Sequence, residues 1–471
     1  MKILLVAAEV APIVKLGGLG DVIGSLPKAL EKLGTNVDVI APFFPFAKID
    51  NIKLYKSIEI NVPYGGENYL VNVYNTKLPD SNVDVILLQN SRFFGGHSGT
   101  WKLSNEQELE SFSFFDRSVV EFIKSKFNTY DLIHCNDWHT GLIPHILEDE
   151  LSATRPATLF TVHNLMYQGV GEPVIARNVG IVPGVHALID WDIADGDLNL
   201  VQQGVTSSDY INTVSLTYSK EILTPEYGGG LHEILQAREG RLTGILNGLD
   251  YSLFPRGYSS TNWKTKKPEY KKKLAEKLNL SQSTNKPIFA FVGRLDSYQK
   301  GLDLTYGAIP HIIEKGGQFI LLGDGDEAWK QKFVEMSQNK TYVQDFSAQL
   351  KFDLELAKMV YAGSDFLIVP SKYEPCGLIQ MIAMWYGSLP IVRATGGLKD
   401  SVKEGFNGFL FDKYDVGDLN GAIDKAFLVY GGKEMQEMIF RAISEDFSWE
   451  KSAMQYNELY KKIIQLRLEN I

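Results

Sequence analysis

The sequence predicts an α/β protein with two doubly wound parallel sheets. Short apolar runs rich in β-branched residues recur along the chain, and a helical pattern follows each run, as is typical of parallel strands covered on both faces. This alternation is interrupted once and then restarts. The length of 471 residues agrees with two domains, because a single hydrophobic core stops growing at roughly 250–300 residues.

The first part of the chain contains five predicted strands, at residues 3–8, 37–40, 83–88, 132–135 and 158–162. The clearest helix follows the first strand, over residues 18–33. Apolar residues recur there at helical spacing, and Gly34 ends the pattern. Strand, glycine-rich turn and helix therefore form a first βα unit.

The second sheet is predicted from strands at residues 287–292, 319–322, 366–369 and 389–392. The segment 253–273 before it lacks apolar periodicity and ends in Lys271, Lys272 and Lys273, which we interpret as a solvated helix face. We place a domain boundary there, which gives domains at residues 1–252 and 253–446. The remaining residues 447–471 include an amphipathic helix predicted over 449–468.

Composition and charge exclude several classes of function. The chain has 57 acidic against 47 basic residues, a net charge of −10, so it has no general attraction for nucleic acid or anionic membranes. Its 2 cysteines, Cys135 and Cys376, form neither a disulfide framework nor a zinc cluster. Glu9 interrupts the N-terminal apolar run before a signal-peptide core is complete, and no run reaches the roughly 20 apolar residues of a membrane helix. We expect a cytoplasmic protein without membrane or nucleic-acid partners.

Ligands of open α/β sheets bind at the carboxyl ends of the strands, and a glycine-rich loop follows the first strand here. Its backbone N–H groups and the positive end of the next helix favour a phosphate, as does Lys15 just before Gly17 and Gly18. Glycines are equally needed for a tight strand-to-helix turn. A dinucleotide fingerprint would require glycine at Ile23, whereas the chain has Gly24, so a dehydrogenase is poorly supported.

Cationic and acidic residues follow the strands of the second sheet. Arg294 and Lys300 lie on one loop and could together neutralise a diphosphate leaving group. Glu374 precedes Pro375, which we place at the first position of a helix. The Glu374 carboxylate and the unpaired backbone N–H groups of that helix start could then hold sugar hydroxyls. Alternatively, Glu374 only caps the helix. Thr395 opens another helix that could supply amides to a phosphate.

Two further polar residues follow strands of the first sheet. His163 belongs to no Ser/His/Asp arrangement and could contact a ligand or be structural. Asp137 could be a general base, could bind an acceptor, or could cap a helix that begins at Trp138. Asp324 and Asp326 could suggest a cation site, but a polar turn at the end of a strand is the stronger interpretation. No cluster of metal ligands is visible, so no metal or other cofactor is predicted.

Seven segments in a fixed order resemble one known family. They are KLGGLGDV at Lys15, NDWHTGL at Asn136, TVHNLMYQG at Thr161, TVSLTYSKEI at Thr213, GILNGLD at Gly244, PSKYEPCGL at Pro370 and TGGLKDSV at Thr395. They resemble the bacterial glycogen synthases and plant starch synthases, which are retaining glucosyltransferases of the GT-B architecture. The resemblance implies two Rossmann-like domains facing across a deep cleft. Residues 1–252 would be the acceptor-side, starch synthase catalytic domain, 253–446 would bind the nucleotide sugar, and 447–471 would cross back to the first domain.

Matching positions carry the family's site residues onto this chain. The resemblance implies catalytic roles for His163, Arg294, Lys300 and Glu374, and an acceptor contact for Asp137. It implies donor contacts for Lys15, Gly17, Gly18, Asp21, Asn247, Phe352, Cys376, Gly377, Thr395, Gly397 and Leu398. Four positions depart from the usual pattern of the family. Asn136 replaces a histidine, and Phe352 replaces a tyrosine near the nucleotide base. In a first-domain motif, Gln202 replaces a lysine and Gln203 replaces the first of two glycines.

The implied reaction is transfer of glucose from ADP-glucose, with UDP-glucose as a second donor to test, to the non-reducing 4-hydroxyl of an α-1,4-glucan. The configuration would be retained and no cofactor would be needed. One alternative is a related enzyme with another donor or acceptor, such as a sucrose-forming or trehalose-forming type. Another is a catalytically silent glucan-binding relative. A plant or algal source would change the expected location from the cytoplasm to a plastid-like compartment.

Overall fold

The computed structural model describes residues 1–49, 52–99, 104–281 and 285–469. The chain forms two compact units. Unit 1 contains Met1–Val214, Ser219–Gly248 and Trp449–Ile471, and unit 2 contains Ser215–Tyr218 and Leu249–Ser448. The domains expected from the sequence divide at residues 252 and 446, and the functions assigned to them stay predictions.

Most of the parallel strands are short and largely buried, as expected of sheets covered on both faces. In chain order the strands are β1 (Lys2–Val6), β2 (Asn36–Pro42), β3 (Tyr55–Tyr64), β4 (Glu67–Lys77), β5 (Asp84–Gln89), β6 (Leu132–Asn136), β7 (Ala157–Val162), β8 (Val170–Gly171), β9 (Leu198–Asn199), β10 (Tyr210–Thr213), β11 (Leu242–Gly244), β12 (Ile288–Val292), β13 (Gln318–Leu322), β14 (Phe346–Gln349), β15 (Phe366–Val369), β16 (Leu389–Arg393) and β17 (Phe409–Phe411).

Helices connect most of the parallel strands. In chain order they are α1 (Gly18–Lys32), α2 (Ser91–Phe94), α3 (Asn105–Ser125), α4 (Ile143–Leu151), α5 (Val174–Asn178), α6 (Ala187–Asp192), α7 (Leu200–Ser207), α8 (Leu216–Glu221), α9 (His232–Ala237), α10 (Trp263–Lys277), α11 (Leu302–Glu314), α12 (Glu327–Ser337), α13 (Leu354–Gly363), α14 (Ile379–Trp385), α15 (Gly396–Ser401), α16 (Val416–Val429), α17 (Lys433–Ser444) and α18 (Trp449–Glu469). Within the described ranges, none of them has the length and apolar character that crossing a bilayer requires.

The sheet of unit 1 has the strand order β11-β10-β7-β6-β1-β2-β5-β4-β3. The pairs from β11 to β5 are parallel, as predicted, but β4 is antiparallel to both β5 and β3. The expectation of a wholly parallel sheet was therefore wrong at this edge. Gly65 and Gly66, both with positive φ, turn the chain between two strands that partly alternate exposed and buried residues. A glycine pair between alternating runs is a hairpin signal, which our reading of continuous apolar runs missed.

The last helix, α18, belongs to unit 1 and contributes to its core. The Tyr460 hydroxyl lies 2.9 Å from His134 Nδ1 on β6, and the Tyr456 hydroxyl accepts a hydrogen bond from Asn212 Nδ2 on β10 at 3.0 Å. Both tyrosines are fully buried. A buried tyrosine needs a partner for its hydroxyl, so these two contacts fix the helix in register against the sheet.

The sheet of unit 2 has six parallel strands in the order β14-β13-β12-β15-β16-β17, and it contains the four predicted strands. The lysines at the end of the boundary segment lie on a helix, as interpreted, because α10 covers residues 263–277. Lys272 and Lys273 are exposed, as interpreted, but Lys271 is not simply solvated. Lys271 pairs with Asp365 at 2.6 Å, with side chains only 14% and 12% exposed. A long lysine stem can pack against the unit while its ammonium group reaches a carboxylate.

Candidate active site

Three neighbouring strands bring the predicted residues of unit 1 to one edge of the sheet. β6 lies between β7 and β1 and is parallel to both. The glycine-rich loop comes after β1, Asp137 comes directly after β6, and His163 comes directly after β7. Because the carboxyl ends of parallel strands meet at the same edge, residues far apart in the chain become neighbours here.

The loop before α1 is held by Glu9, a residue that the sequence analysis did not assign to the site. Its Oε2 accepts hydrogen bonds from the backbone N–H groups of Leu16 at 2.5 Å and Gly17 at 2.6 Å. Burial raises the pKa of the Glu9 carboxyl, although the two amide donors oppose this. The amides of Leu16 and Gly17 are therefore committed to an internal carboxylate, and the loop is shaped before any ligand arrives.

Gly18 begins α1, as predicted, and differs from the other glycines of this region. A Cβ atom on Gly24 would lie 2.5 Å from the carbonyl oxygen of Ala11, whereas one on Gly18 would meet no atom within 4 Å. Packing within the protein thus explains Gly24 but not Gly18. Lys15 and Asp21, three residues to either side of Gly18 in the chain, pair with each other at 2.6 Å. An uncovered helix start beside a lysine is the arrangement that phosphate groups favour.

Asp137 organises the loop after β7. Its Oδ1 accepts a hydrogen bond from the backbone N–H of His163 at 2.7 Å. Its side chain makes no capping hydrogen bond to the short 3₁₀ turn Trp138–Thr140, so the helix-capping alternative was wrong. Burial raises the pKa of Asp137 to about 7, with the backbone amides of His163 and Asn164 acting in the opposite direction.

Asn136 determines which ring nitrogen of His163 carries a proton. Its Nδ2 donates to the carbonyl oxygens of Val6 and His134, both at 3.1 Å, so its Oδ1 is the atom 3.0 Å from His163 Nε2. Nε2 must then be the donor. Burial lowers the pKa of His163 to about 4, which keeps the ring neutral near pH 7. Nδ1 is therefore a hydrogen-bond acceptor.

Asn247 follows β11 and carries an unsatisfied acceptor. The residue is buried, and its Oδ1 has no hydrogen-bond partner among the described residues. Most buried side-chain oxygens in proteins are paired, so an exception needs an explanation. A hydroxyl group of a ligand would supply the missing donor.

In unit 2 the predicted catalytic residues also meet at the carboxyl ends of neighbouring strands. β12, β15 and β16 are adjacent, and Lys300 and Glu374 lie on the loops after the first two of them. Lys300 Nζ lies 2.7 Å from Glu374 Oε2, and the Ser371 hydroxyl donates to the same oxygen at 2.9 Å. The lysine and glutamate side chains are only 17% and 8% exposed. The ammonium group is thus held in one position.

Arg294 lies on the same loop as Lys300 but is exposed. One of its terminal nitrogens contacts Asp296 at 2.8 Å. Burial opposes ionisation of Asp296, yet hydrogen bonds from the amides of Gln299 and Tyr298, with the nearby cations, hold its pKa below the usual range. Asp296 therefore orders the loop as an anion, while the guanidinium retains donors for a ligand.

The segment after Glu374 does not begin a helix, so the placement of Pro375 at a first helical position was wrong. α14 begins only at Ile379. Gly377 first makes a turn with φ of +70°, and Gln380 Nε2 donates to the carbonyl oxygens of Cys376 at 3.2 Å and Gly377 at 2.7 Å. Glycine is favoured at this φ because it has no Cβ. The buried glutamine fixes the turn.

A helix does begin after Thr395, as predicted, but it is packed tightly against the Glu374 segment. The Gly397 N–H donates to the carbonyl oxygen of Glu374 at 3.1 Å, and a Cβ on Gly397 would lie 2.0 Å from the Cys376 oxygen. The Leu398 N–H donates to Thr395 O at 3.1 Å. These two amides are used within unit 2. Donor binding by Cys376, Gly377, Thr395, Gly397 and Leu398 stays a prediction.

Phe352 follows β14 and is 87% exposed. A freely exposed aromatic ring has little packing role, and it offers a face on which a nucleotide base could stack. The contact with the base stays a prediction.

The chain matches two known protein families. Residues 2–237 match the starch synthase catalytic domain family, and residues 269–443 match the glycosyl transferases group 1 family. The glycogen synthase of Kosmotoga olearia is 38% identical to the chain, with 98% of each chain covered. The glycogen synthase of Geotalea daltonii is 39% identical, and the alignment covers 98% of this chain and 99% of that protein. The chain belongs to the glycogen and starch synthase family.

Among solved structures, the catalytic domain of starch synthase IV from Arabidopsis thaliana, bound to ADP and acarbose, is similar to this family member. The two proteins share 31% sequence identity and superpose with a TM-score of 0.87. The superposition covers 98% of this chain and 99% of the starch synthase chain. The predicted fold class and family are therefore confirmed, and the protein is a glycosyltransferase with two Rossmann-like α/β units.

The structure of this glycosyltransferase also contains a cluster that sequence analysis missed. His145, Asp149 and His186 each direct a ligand-type atom to one place, and these atoms lie within 4.8 Å of one another. No such cluster is visible in the sequence, and this one is formed only by the fold. His145 and Asp149 are one helical turn apart, a spacing that can place two metal ligands side by side and that the sequence shows. His186 joins them only in the folded chain. The absence of a metal at the predicted sugar-nucleotide site stays a prediction.

Proposed function

We propose that this enzyme elongates an α-1,4-glucan by transferring glucose from ADP-glucose to the non-reducing 4-hydroxyl, with retention of configuration. The observation that carries the proposal is the position of Lys300, which Glu374 fixes at 2.7 Å. A pre-positioned cation stabilises a diphosphate leaving group without reorganising during the reaction. The similarity to a starch synthase bound to ADP and acarbose supports this donor and a glucan acceptor.

Unit 2 supplies the groups that would hold the donor. Lys300 provides a point charge and Arg294 a planar set of donors, and together they would neutralise the two phosphates. A carboxylate has about four lone-pair sites. Glu374 uses two of these for Lys300 and Ser371, so the remaining ones would accept hydrogen bonds from glucose hydroxyls.

Unit 1 supplies neutral acceptors and a helix start. Nδ1 of His163 and Oδ1 of Asn247 would each accept a hydrogen bond from a sugar hydroxyl. The open space at Gly18, beside Lys15, would receive the diphosphate or the glucosyl group next to it. Asp137, which orders the loop of His163, would face the acceptor.

The reaction needs no nucleophile from the protein. The acceptor 4-hydroxyl attacks the anomeric carbon from the face that the diphosphate leaves, so the configuration is retained. The bond between the anomeric carbon and the diphosphate oxygen breaks, and a diphosphate oxygen takes the proton of the attacking hydroxyl. The products are ADP and a glucan one residue longer. The contribution of the enzyme is orientation and stabilisation of charge on the leaving group.

The test measures nucleotide release from ADP-glucose and UDP-glucose in parallel, with and without glycogen. The product is then digested with an amylase specific for α-1,4 linkages. We expect glycogen-dependent nucleotide release that is faster from ADP-glucose, and removal of the newly added glucose by the amylase. Faster release from UDP-glucose would correct the donor. Failure of a folded sample to consume either donor would overturn the proposal and favour another substrate pair or a silent glucan-binding protein.

A further inference from the structure

A cluster of two histidines and one aspartate lies in unit 1, apart from the residues proposed to bind substrate. His145 and Asp149 are one turn apart on α4, and His186 is the residue just before α6. His186 Nε2 lies 3.0 Å from Asp149 Oδ2, and His145 Nε2 lies 4.0 Å from Asp149 Oδ1. Both histidines therefore direct a ring nitrogen towards the same carboxylate.

One ring nitrogen of the buried residue His145 makes no hydrogen bond with any described residue. The residue is only 6% exposed, and its Nε2 is a buried atom with no hydrogen-bond partner among the described residues. Its other nitrogen, Nδ1, lies 3.1 Å from the hydroxyl of Ser207. With Nδ1–H donating to that hydroxyl, Nε2 presents a lone pair to the negatively charged Asp149. A cation between the two atoms would satisfy both.

From these contacts we propose that His145, Asp149 and His186 bind a divalent transition-metal ion of the Zn²⁺ type. Zinc binds histidine nitrogen and carboxylate oxygen at about 2.0–2.2 Å in a tetrahedron, which places ligand atoms about 3.3 Å apart. The distances to the two oxygens of Asp149, 3.0 Å and 4.0 Å, lie on either side of that value, and the three ligand atoms lie within 4.8 Å of one another. The partly exposed side chain of His186 can rotate to bring its ring nitrogen within bonding distance of the ion.

The surroundings suit such an ion. Ser207 orients the His145 ring from behind, as the outer hydrogen-bond partners of metal-bound histidines generally do. A cavity of about 390 Å³ adjoins the cluster and leaves room for water as a fourth ligand. Two imidazoles favour zinc over magnesium or calcium, which prefer oxygen ligands.

The bound ion would join α4 to the segment that precedes α6. It would act by stabilising unit 1, because an ion that binds only the folded state shifts unfolding to higher temperature. None of the three ligands is among the residues proposed for glucose transfer. The inference therefore stands or falls independently of the proposed function.

The test uses the full chain, freed of metal with a chelator. Zn²⁺ is titrated calorimetrically, bound zinc is counted by mass spectrometry, and Co²⁺ is added separately to record visible absorption. We expect one ion per chain at this site, a Tm higher by a few degrees, and the absorption of tetrahedral Co²⁺. His186→Asn and Asp149→Asn should each weaken Zn²⁺ binding at least tenfold.

His311→Asn is the matched control. His311 also pairs with an aspartate, Asp424, at 2.7 Å, but within the described residues this pair belongs to no three-ligand cluster. This variant should bind Zn²⁺ as the parent does. No Zn²⁺ binding by the parent, or equal binding by the parent, His186→Asn and Asp149→Asn, would overturn the proposal. In that case the contact between His186 and Asp149 is only a hydrogen bond.

Discussion

Lys300 and Glu374, 74 positions apart in the chain, form a largely buried ion pair with 2.7 Å between Nζ and Oε2. The pair joins the loops after β12 and β15, which are adjacent strands of unit 2. Each partner compensates the cost of burying the other's charge. The same contact that stabilises the loops therefore keeps the ammonium group where a leaving diphosphate would need it.

Replacing Lys300 with alanine should lower kcat by about 10²–10³-fold, because a pre-positioned group that stabilises the transition state is lost. It should also destabilise the fold by up to about 3–5 kcal/mol, because Glu374 is left buried without its cation. Nucleotide release per folded molecule measures the first effect, and urea unfolding measures the second.

The control for Lys300→Ala is Lys271→Ala. Lys271 forms an ion pair of comparable burial with Asp365, at 2.6 Å, in the same unit. Breaking it should cost similar stability but leave kcat per folded molecule unchanged. An equal loss of kcat in both variants would show that Lys300 acts only through stability.

Gly18→Ala should leave the free energy of unfolding within about 1 kcal/mol of the parent, because the added Cβ meets no atom within 4 Å. The same methyl group should raise the KM for the donor if the diphosphate or glucosyl group occupies that space. Steady-state kinetics over a range of ADP-glucose concentrations measures the change.

Gly421→Ala on α16 is the companion variant, since a Cβ there also meets nothing within 4 Å. It should leave KM unchanged. A Gly18→Ala enzyme with the KM of the parent would show that no ligand approaches this helix start.

Phe352→Ala should raise the KM for ADP-glucose several-fold without lowering Tm, because the ring is 87% exposed and its loss removes stacking worth about 1 kcal/mol. Leu428→Ala, at a site 86% exposed on α16, should change neither quantity. An unchanged KM in Phe352→Ala would remove the residue from the base-binding site.

Asp137 should make folding stability depend on pH. Burial raises its pKa to about 7 from an ordinary value of 3.8, so the folded state holds this proton more tightly than the unfolded chain. Its contribution to stability is therefore fully present below about pH 4 and is lost as pH rises through 7. Asp137→Asn cannot ionise, so its stability relative to the parent should increase over that range. Urea unfolding of both proteins from pH 4 to pH 8 measures this difference.

Asp192→Asn separates this electrostatic effect from a role in the reaction. Burial also raises the pKa of Asp192, to about 6, and Asp192 lies outside the predicted site. Both variants should gain stability relative to the parent as pH rises, but only Asp137→Asn should lose activity. A difference between Asp137→Asn and the parent that stays constant with pH would contradict the raised pKa of Asp137.

Local patterns were enough to predict much of the fold. The apolar runs at residues 132–135 and 366–369 became β6 and β15 within one residue, and the helix predicted at 18–33 is α1. Strand and helix periodicity depends on neighbours a few residues away, and these are visible in the chain itself. The placement of Asp137 and His163 after adjacent strands follows from the rule that polar loops at the carboxyl ends of parallel strands share one edge.

The sequence by itself determined the α/β class, the two sheets, the residue types after each strand and the family. Only the tertiary structure decided that Glu9 occupies the loop amides, that Gln380 holds the turn at Gly377, and that His186 reaches His145. These contacts depend on how close separate elements come to one another. Local propensity does not encode such distances, because they are set by the packing of the whole unit.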